Sequence, residues 1–285
     1  MDWDALGRLL VYEDHEQIWE EHQRMETPVT HPQLLVNKHA VIFGAGGAIG
    51  QAVAKEFAAQ EATVFLSGRR LAGISQAAAE IHQNDGIAYA AEVDALDEQA
   101  VQAYLDGVAK EAGSIDILLN VMGPQAKDYG EGTSTLELPL EQFLVPLSTM
   151  LPSQFITVRA AARHMVRQHS GVILFVTAVP GRGAPNSTAI GTAFGAMESL
   201  LRCLAADLGP AGVRVVGIRS GGMVDTRTIQ QAFENVAHTR GIAQAQVVAR
   251  SEQATLLGRL PRVADTARLA AFLARQILMI EGANQ

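Results

Sequence analysis

A glycine-rich segment directly after an apolar run is the feature that most constrains the fold of this chain. Residues 39–43 form the apolar run, and Gly44-Ala45-Gly46-Gly47-Ala48-Ile49-Gly50 follows and opens a helical pattern. Glycines let the backbone turn tightly and approach a pyrophosphate, whose charge a helix N-terminus stabilises. A strand, loop and helix in this order predict a dinucleotide site; the alternative is a tight turn without a ligand.

Short runs rich in β-branched residues alternate with longer helical patterns along the rest of the chain. This alternation predicts an α/β fold with a parallel sheet covered by helices on both faces. Right-handed crossovers then give a Rossmann-like, doubly wound sheet of six or seven strands. The predicted strands are 39–43, 62–67, 87–93, 115–121, 172–177 and 213–219, and the predicted helices include 48–60, 98–111, 154–168 and 192–208.

Length and composition favour one large domain in a reducing compartment. The 285 residues are interpreted as an N-terminal helical extension, 1–36, and a single domain, 37–285. The extension predicts an amphipathic helix on its own domain or on a neighbouring subunit; a partner-binding arm is the alternative. The single cysteine, Cys203, excludes a disulfide framework. A net charge of -8 without a basic stripe, and no apolar run of roughly 18 residues, predict a cytoplasmic protein that binds neither nucleic acid nor membrane.

Further motifs follow the later strands and carry a resemblance to a known family. They are Val93-Asp94-Ala95, Asn120-Val121-Met122-Gly123, Leu204-Ala205-Ala206-Asp207-Leu208 and Arg219-Ser220-Gly221-Gly222-Met223-Val224-Asp225-Thr226. With the glycine loop they make residues 39–226 resemble a short-chain dehydrogenase/reductase. The resemblance implies hydride transfer between a nicotinamide cofactor and a carbonyl or alcohol. It also implies cofactor contacts from Gly44, Gly46, Gly47, Ile49, Gly50, Asp94, Asn120, Gly123, Gly221, Val224 and Thr226, although Asn120 can equally be a buried amide that joins adjacent strands.

The end of the second strand bears on the choice between NADP and NAD. The chain reads Ser67-Gly68-Arg69-Arg70, without the acid that would bind a ribose 2′-hydroxyl. Arg69 can pair with a 2′-phosphate through its planar fork of donors, and Ser67 can add a hydroxyl. This pattern predicts NADP, with NAD less favoured. The alternative is that both arginines only solvate the next helix.

The catalytic positions that the resemblance implies are apolar. Family members use a Tyr as general acid, a Lys that lowers its pKa, a Ser that orients the substrate and an Asn that holds a relay water. Aligned on residues 204–208, the Tyr position is Ile190 and the Lys position Phe194. The Asn position is Met150, and the Ser position is Ala178, or Thr177 after a shift of one residue. No Tyr or Lys follows Tyr129, so no shift of the alignment restores the pair.

Apolar side chains cannot exchange a proton, and general acid–base catalysis typically contributes about 10²–10⁴ in rate. The sequence therefore predicts an NADP(H)-binding protein with a degenerate active site, poor or inactive in ordinary carbonyl or alcohol hydride transfer. The alternative is an active NADP-dependent oxidoreductase with other acid–base groups. Tyr129 and Lys127 are the best stand-ins, and Arg182 and His164 are more distant ones. No cluster of His, Cys and Asp has metal-ligand spacing.

Partners are predicted less specifically. The substrate is an unknown small molecule, with residues 227–258 as its lid. Small residues at Ala193, Gly195 and Ala196 allow close helix approach, and the resemblance implies a homodimer or homotetramer. A tetramer is less favoured, because the resemblance implies that the strand which follows a stretch like 279–285 in family members is absent here. The alternative is that this helix packs only on its own sheet.

Overall fold

A computed structural model describes residues 33–275, and a sheet of six parallel strands runs through this part of the chain. The strand order is β3-β2-β1-β4-β5-β6, so the order reverses between β1 and β4. In such sheets ligands bind beyond the carboxyl ends of the strands at this reversal. The predicted doubly wound fold is confirmed. The strands are β1 (His39–Phe43), β2 (Thr63–Gly68), β3 (Ile87–Glu92), β4 (Ile117–Asn120), β5 (Gly171–Ala178) and β6 (Val213–Ser220).

Helices cover both faces of the sheet because alternate strand residues point to opposite sides. On one face, Ile42 and Leu174 pack in an apolar cluster with Phe57. On the other, Phe43 and Phe175 pack in a second cluster. The first face is covered by α1 (Ala48–Ala59), α2 (Leu71–His82) and α8 (Val263–Arg275), and the second by α3 (Glu98–Ala112), α4 (Leu140–Gln168) and α5 (Thr188–Leu208), while α6 (Arg227–Arg240) and α7 (Gln244–Gln253) follow β6.

The predicted strands all occur, whereas two helices begin earlier than predicted. Helix α4 begins at Leu140 rather than at residue 154, although Pro146 and Pro152 lie inside it. Proline lacks the N–H that a helix interior needs, which is why the sequence favoured a later start. Side-chain hydroxyl groups donate hydrogen bonds to backbone carbonyls in this stretch, for example from Ser148 to the Leu144 carbonyl at 2.9 Å. Helix α5 begins at Thr188 rather than at residue 192, and this places the predicted Tyr and Lys positions on it.

The first described residues belong to the domain core. Leu35 is buried, and its N–H donates to the Gln60 carbonyl at 2.9 Å. Residues 33–36 therefore pack with the domain, although the predicted extension, 1–36, includes them. The rest of the predicted extension, residues 1–32, lies outside the described residues. The predicted absence of a strand after 279–285 also lies outside the described residues.

Helix α5 and the turn after it are apolar. The stretch Thr188–Ala211 is long and apolar enough to cross a bilayer by length and composition alone. In the structure Ile190, Ala193 and Met197 are buried in the cluster that faces β5. Core helices of water-soluble folds share this composition, so the stretch is weak support for a membrane span.

Candidate dinucleotide and substrate site

The glycine loop closes tightly between β1 and α1. Gly44 has a φ of +79°, a conformation that favours glycine, and a Cβ there would lie 2.8 Å from the Met122 amide nitrogen. A Cβ on Gly50 would lie 2.5 Å from the Gly44 carbonyl oxygen. The backbone of α1 therefore approaches the loop more closely than any side chain allows. Two of the predicted glycines are sterically required by the fold itself.

The start of α1 suits an anionic group. Its N-cap is Gly47, which has no capping side chain, and its first turn contains no acid. Gly46, Gly47 and Ala48 are exposed, and Ile49 beside them is half-buried. Amide N–H groups at a helix N-terminus without a capping side chain bind phosphate groups well. The loop thus fits a pyrophosphate.

Of the two predicted NADP contacts at the end of β2, Arg69 is exposed and Ser67 is buried. Arg69 and Arg70 are exposed, and neither forms an ion pair with another residue of the described chain. The loop is adjacent, since the Gly44 N–H donates to the Ser67 carbonyl at 3.0 Å. Ser67 itself is fully buried, and its hydroxyl donates to the Ile42 carbonyl at 3.2 Å. The expected contact between Ser67 and a 2′-phosphate is therefore corrected: this side chain points into the sheet layer.

Two of the residues predicted to contact adenosine, Asn120 and Asp94, form hydrogen bonds within the chain. Asn120 is buried, donates to the Thr157 hydroxyl at 3.1 Å and accepts from the Met122 amide at 3.0 Å. Asn120 is thus the satisfied buried amide that the sequence left open, but it joins β4 to α4 rather than to an adjacent strand. Asp94 accepts at one carboxylate oxygen from the Leu96 amide at 3.0 Å. Gly123 is exposed beyond β4, with open space where a Cβ would lie.

The predicted nicotinamide cradle follows β6. Gly221 and Val224 are half-buried at the carboxyl end of this strand. Thr226 is buried and caps α6: its hydroxyl accepts from the Ile229 amide at 3.3 Å and donates to the Met223 carbonyl at 2.8 Å. The hydroxyl of Thr226 is thus occupied within the chain, and the carbonyls of Gly221 and Val224 accept hydrogen bonds from the side chains of Ser220 and Gln230.

The predicted Tyr and Lys positions lie on the first two turns of α5 and are packed by apolar groups. Ile190 is buried, in one cluster with Tyr129 and Met150. Phe194 is half-buried, and a Cβ on Gly181 would lie 3.1 Å from its Cβ. The short 3₁₀ helix Val179–Arg182 therefore packs closely against α5 at this point. Three of the predicted catalytic positions, Ile190, Phe194 and Met150, therefore lie in one continuous apolar region.

Strand parity distinguishes the two candidates for the Ser position. Ile173 and Phe175 point toward the α4 and α5 layer, so Thr177 does as well, whereas Ala178 has the opposite parity. The Thr177 hydroxyl donates to a Glu198 oxygen at 3.1 Å, and Arg219 donates to the same oxygen at 2.7 Å. The Arg219 guanidinium holds the pKa of Glu198 below its usual value, with the Thr177 hydrogen bond contributing. The hydroxyl on the α5 side is thus Thr177.

The side chains predicted to stand in for a catalytic acid are poorly suited to that role. Tyr129 is buried, and burial together with Glu131 and Asp128 raises the pKa of its phenol, the opposite of what an acid catalyst needs. Lys127 is exposed in the loop after β4. His164 pairs with Asp106 at 2.8 Å near the C-terminal end of α4. No group of three or more metal-ligating side chains occurs within residues 33–275.

A carboxyl that the sequence did not single out lies beside the start of α5. The Ser187 hydroxyl donates to one oxygen of Glu131 at 2.6 Å. The other oxygen is buried without a hydrogen-bond partner in the described residues. Ser187 immediately precedes α5, so this pair lies within one turn of Ile190. No local pattern marks Glu131, because the contact joins residues far apart in the chain.

Glu131 gives a prediction about pH. Burial raises the pKa of this carboxyl above its ordinary 4.5, against the opposing effect of the Ser187 hydrogen bond. The folded protein therefore holds the proton more tightly than the unfolded chain does. The resulting stabilisation is complete below pH 4.5 and is lost as pH rises through the folded pKa. As the pH rises above 4.5, the free energy of unfolding of the wild type, measured in urea, should fall relative to that of Glu131→Gln. A pH-independent difference contradicts this.

Comparison with known proteins places the chain in a family. The short chain dehydrogenase family model matches residues 38–237. The 7alpha-hydroxysteroid dehydrogenase of Escherichia coli (strain K12) is 30% identical over 223 residues, which cover 75% of this chain and 85% of the relative. The gluconate 5-dehydrogenase of Gluconobacter oxydans (strain 621H) is 29% identical over 266 residues, 89% and 98% of the two chains. The chain belongs to the short-chain dehydrogenase/reductase family, whose members bind NAD(P).

Solved structures agree with this fold. NAD+-bound xylitol dehydrogenase has a TM-score of 0.79 and 26% identity, over 85% of this chain and 94% of that one. A variant of actinorhodin polyketide ketoreductase with NADPH has a TM-score of 0.75 and 20% identity, over 83% and 90%, and shares the fold alone. Both nucleotides occur among these structures, so the structures do not distinguish NAD from NADP for this chain.

Proposed function

We propose that this protein binds NADP(H) in preference to NAD(H) and is poor or inactive in ordinary hydride transfer to carbonyls or from alcohols. The observation that carries the proposal is the buried side chain of Ile190 at the position of the family's Tyr. Because α5 includes residues 190–194 in one regular helix, Phe194 lies one turn further along the same face. Neither side chain can exchange a proton or lower the pKa of a neighbour.

The cofactor-binding half of the site supports binding of the dinucleotide without hydride transfer to a substrate. The loop from Gly44 to Gly50 would hold the pyrophosphate, Arg69 a 2′-phosphate, and the turn at Gly221 and Val224 the carboxamide. A bound nicotinamide supplies the hydride in this family. The chain's own residues would position it, but a proton for the substrate oxygen has no donor at Ile190. Binding and turnover are therefore expected to separate.

The preference for NADP(H) is tested by titrating the protein with NADPH and NADH in a calorimeter. Arg69→Ala removes a charge-assisted contact, which is worth about 1.5–3 kcal/mol, so we expect NADPH affinity to fall roughly 10–100-fold. NADH lacks the 2′-phosphate, and its affinity should hardly change. Arg70→Ala is the matched control, because Arg70 is the N-cap of α2 and is equally exposed.

An equal loss for both nucleotides would show that Arg69 acts without regard to the 2′-phosphate. Absence of binding by either nucleotide to the wild type would remove the cofactor site altogether. Turnover is measured on the same protein with a panel of ketones and alcohols. Rapid oxidation of NADPH with a simple ketone would contradict the degenerate-site proposal.

An active NADP-dependent oxidoreductase with non-standard acid–base groups is the second candidate. It is favoured by the hydroxyl of Thr177, which lies on the α5 side of β5. It is also favoured by two relatives that are named as dehydrogenases, one of a hydroxysteroid and one of gluconate. Thr177→Val would then abolish the activity found in the panel. Under the first proposal the small residual turnover should be insensitive to this change.

Oligomeric state and location complete the proposal. The small residues expected at a subunit contact are partly occupied: Ala193 is fully buried and Gly195 lies beside Gly181. Helix α4 instead exposes apolar side chains at Leu140, Leu144 and Phe155, four or eleven residues apart on one face. The proposed oligomeric state is therefore a homodimer, with a homotetramer less favoured. The protein is proposed to be cytoplasmic and to bind a small molecule rather than nucleic acid or a membrane. Light scattering measures the mass.

A further inference from the structure

A buried glutamine on α4 contacts the end of strand β4. Gln154 is only 2% exposed, and its Nε2 donates to the backbone carbonyl of Asn120 at 2.7 Å. Its other side-chain polar atom, Oε1, is buried without a hydrogen-bond partner in the described residues. A carbonyl only accepts hydrogen bonds, so the amide cannot be turned to exchange the two atoms. The contact with Asn120 is therefore kept although it leaves Oε1 unpaired.

The unpaired oxygen makes Gln154 a costly residue for folding alone. Burying a polar atom without a partner is unfavourable, and buried polar groups are nearly always paired. Met150 and Val158, one helical turn before and one turn after Gln154, are buried and apolar. A leucine of similar volume between these two side chains would avoid the cost. Packing of α4 therefore does not account for this amide, whereas its contact with Asn120 does.

Asn120 connects this contact to the predicted nucleotide site. Its Oδ1 accepts from the Met122 amide at 3.0 Å, and its Nδ2 donates to the Thr157 hydroxyl at 3.1 Å. The segment after β4 packs directly on the glycine loop, because a Cβ on Gly44 would lie 2.8 Å from the Met122 nitrogen. Helix α4 thus holds both the backbone and the side chain of Asn120. Asn120 in turn holds the segment against which the glycine loop lies.

We propose that Gln154 is a positioning residue of the nucleotide site, which fixes the backbone of residues 120–123 and, through it, the glycine loop. Because its side chain is buried beneath this segment, it acts through Asn120 rather than by contact with the nucleotide. The inference rests on the proposed function, since it assumes that the glycine loop binds a dinucleotide. The placement of residues 120–123 can nevertheless be measured without a nucleotide.

The first test compares Gln154→Leu with wild type by calorimetric titration with NADPH and NADH. We expect both affinities to fall roughly ten-fold, the value of about one hydrogen bond, and to fall equally because the 2′-phosphate is not involved. The urea midpoint should stay close to that of wild type, because the change removes an unpaired oxygen while it gives up one hydrogen bond. Gln76→Leu is the matched control: Gln76 is exposed on α2, where it bonds to Glu80, and both affinities should be unchanged.

Gln154→Glu provides a rescue that depends on protonation. A protonated carboxyl can donate to the Asn120 carbonyl, whereas a carboxylate cannot. Burial raises the pKa of a carboxyl, so lowering the pH from about 9 to about 6 favours the donating form. At the lower pH we expect the NADP+ affinity of Gln154→Glu to approach that of wild type, while Gln154→Leu stays weak. A deficit at the lower pH as large as that of Gln154→Leu would overturn the proposal.

Hydrogen exchange of the Met122 amide, followed by NMR without nucleotide, separates this inference from the proposed function. Gln154→Leu should speed this exchange roughly ten-fold, because the acceptor oxygen of Asn120 is no longer held in place. If wild type binds neither nucleotide and the exchange still accelerates, the proposed function fails and the placement of residues 120–123 by Gln154 stands. Unchanged exchange would overturn the inference. Unchanged affinities in a wild type that binds nucleotide, or a loss confined to NADPH, would overturn it as well.

Discussion

Ile190→Tyr combined with Phe194→Lys is expected to raise the turnover of simple ketones with NADPH by about 10², the lower end of the general acid–base contribution. The double variant restores a phenol and an ammonium group one helical turn apart on α5. Thr177 already provides a hydroxyl on the side of β5 that faces this helix. The reaction is followed by loss of NADPH absorbance over a panel of ketones.

The gain is limited by packing. Ile190 is buried in an apolar cluster, and Phe194 is closely approached by the Val179–Arg182 turn. A larger side chain in a packed core typically costs about 1–3 kcal/mol. We therefore expect the double variant to be less stable than wild type in urea unfolding, and NADPH titration has to accompany the rate measurement.

Ile190→Phe combined with Phe194→Lys is the matched control, since it adds the same ring without the hydroxyl. A gain in the Tyr variant and none in the Phe variant would assign the rate to the restored acid. If the Tyr variant folds, binds NADPH and gains nothing, then the region around α5 no longer has the family's reactive shape. Equal gains in both variants would mean that the hydroxyl is not the cause.

Gly50→Ala is expected to lower the affinity for both NADPH and NADH by at least about 100-fold, which corresponds to about 2.7 kcal/mol. The added Cβ would lie 2.5 Å from the Gly44 carbonyl oxygen and 2.8 Å from the Ala45 Cα. Both atoms belong to the backbone, so α1 and the loop have to separate. The amides that face the pyrophosphate then move, and the loss should be the same for the two nucleotides.

Gly107→Ala provides a control of the same chemistry. Gly107 lies inside α3, and nothing lies within 4 Å of the Cβ that it would gain. Replacing a helical glycine by alanine there should stabilise the protein by about 0.5–1 kcal/mol and leave nucleotide binding unchanged. If Gly50→Ala behaved like Gly107→Ala, the close approach of α1 to the loop would have no role in binding. Calorimetry and urea unfolding of both variants measure the difference.

The candidate site was predictable where a local pattern carries the chemistry. The glycine loop and the exposed Arg69 lie where the sequence predicts them, because a turn and a helix start are specified by neighbouring residues. Ser67 was misplaced, since burial of its hydroxyl depends on which face of β2 packs against the next layer. The early start of α4 was missed for a similar reason: local propensity opposes a helix through Pro146 and Pro152, and tertiary packing overrides it.

The sequence by itself determined the doubly wound sheet, the position of the dinucleotide loop and the absence of Tyr and Lys after Tyr129. These follow from periodicity, glycine spacing and residue identity, which need no long-range information. Only the tertiary structure decided that Thr177 rather than Ala178 faces α5, that Asn120 joins β4 to α4, and that Glu131 meets Ser187. Each of these is a contact between distant segments, and packing of whole layers, rather than local preference, sets which side chains meet.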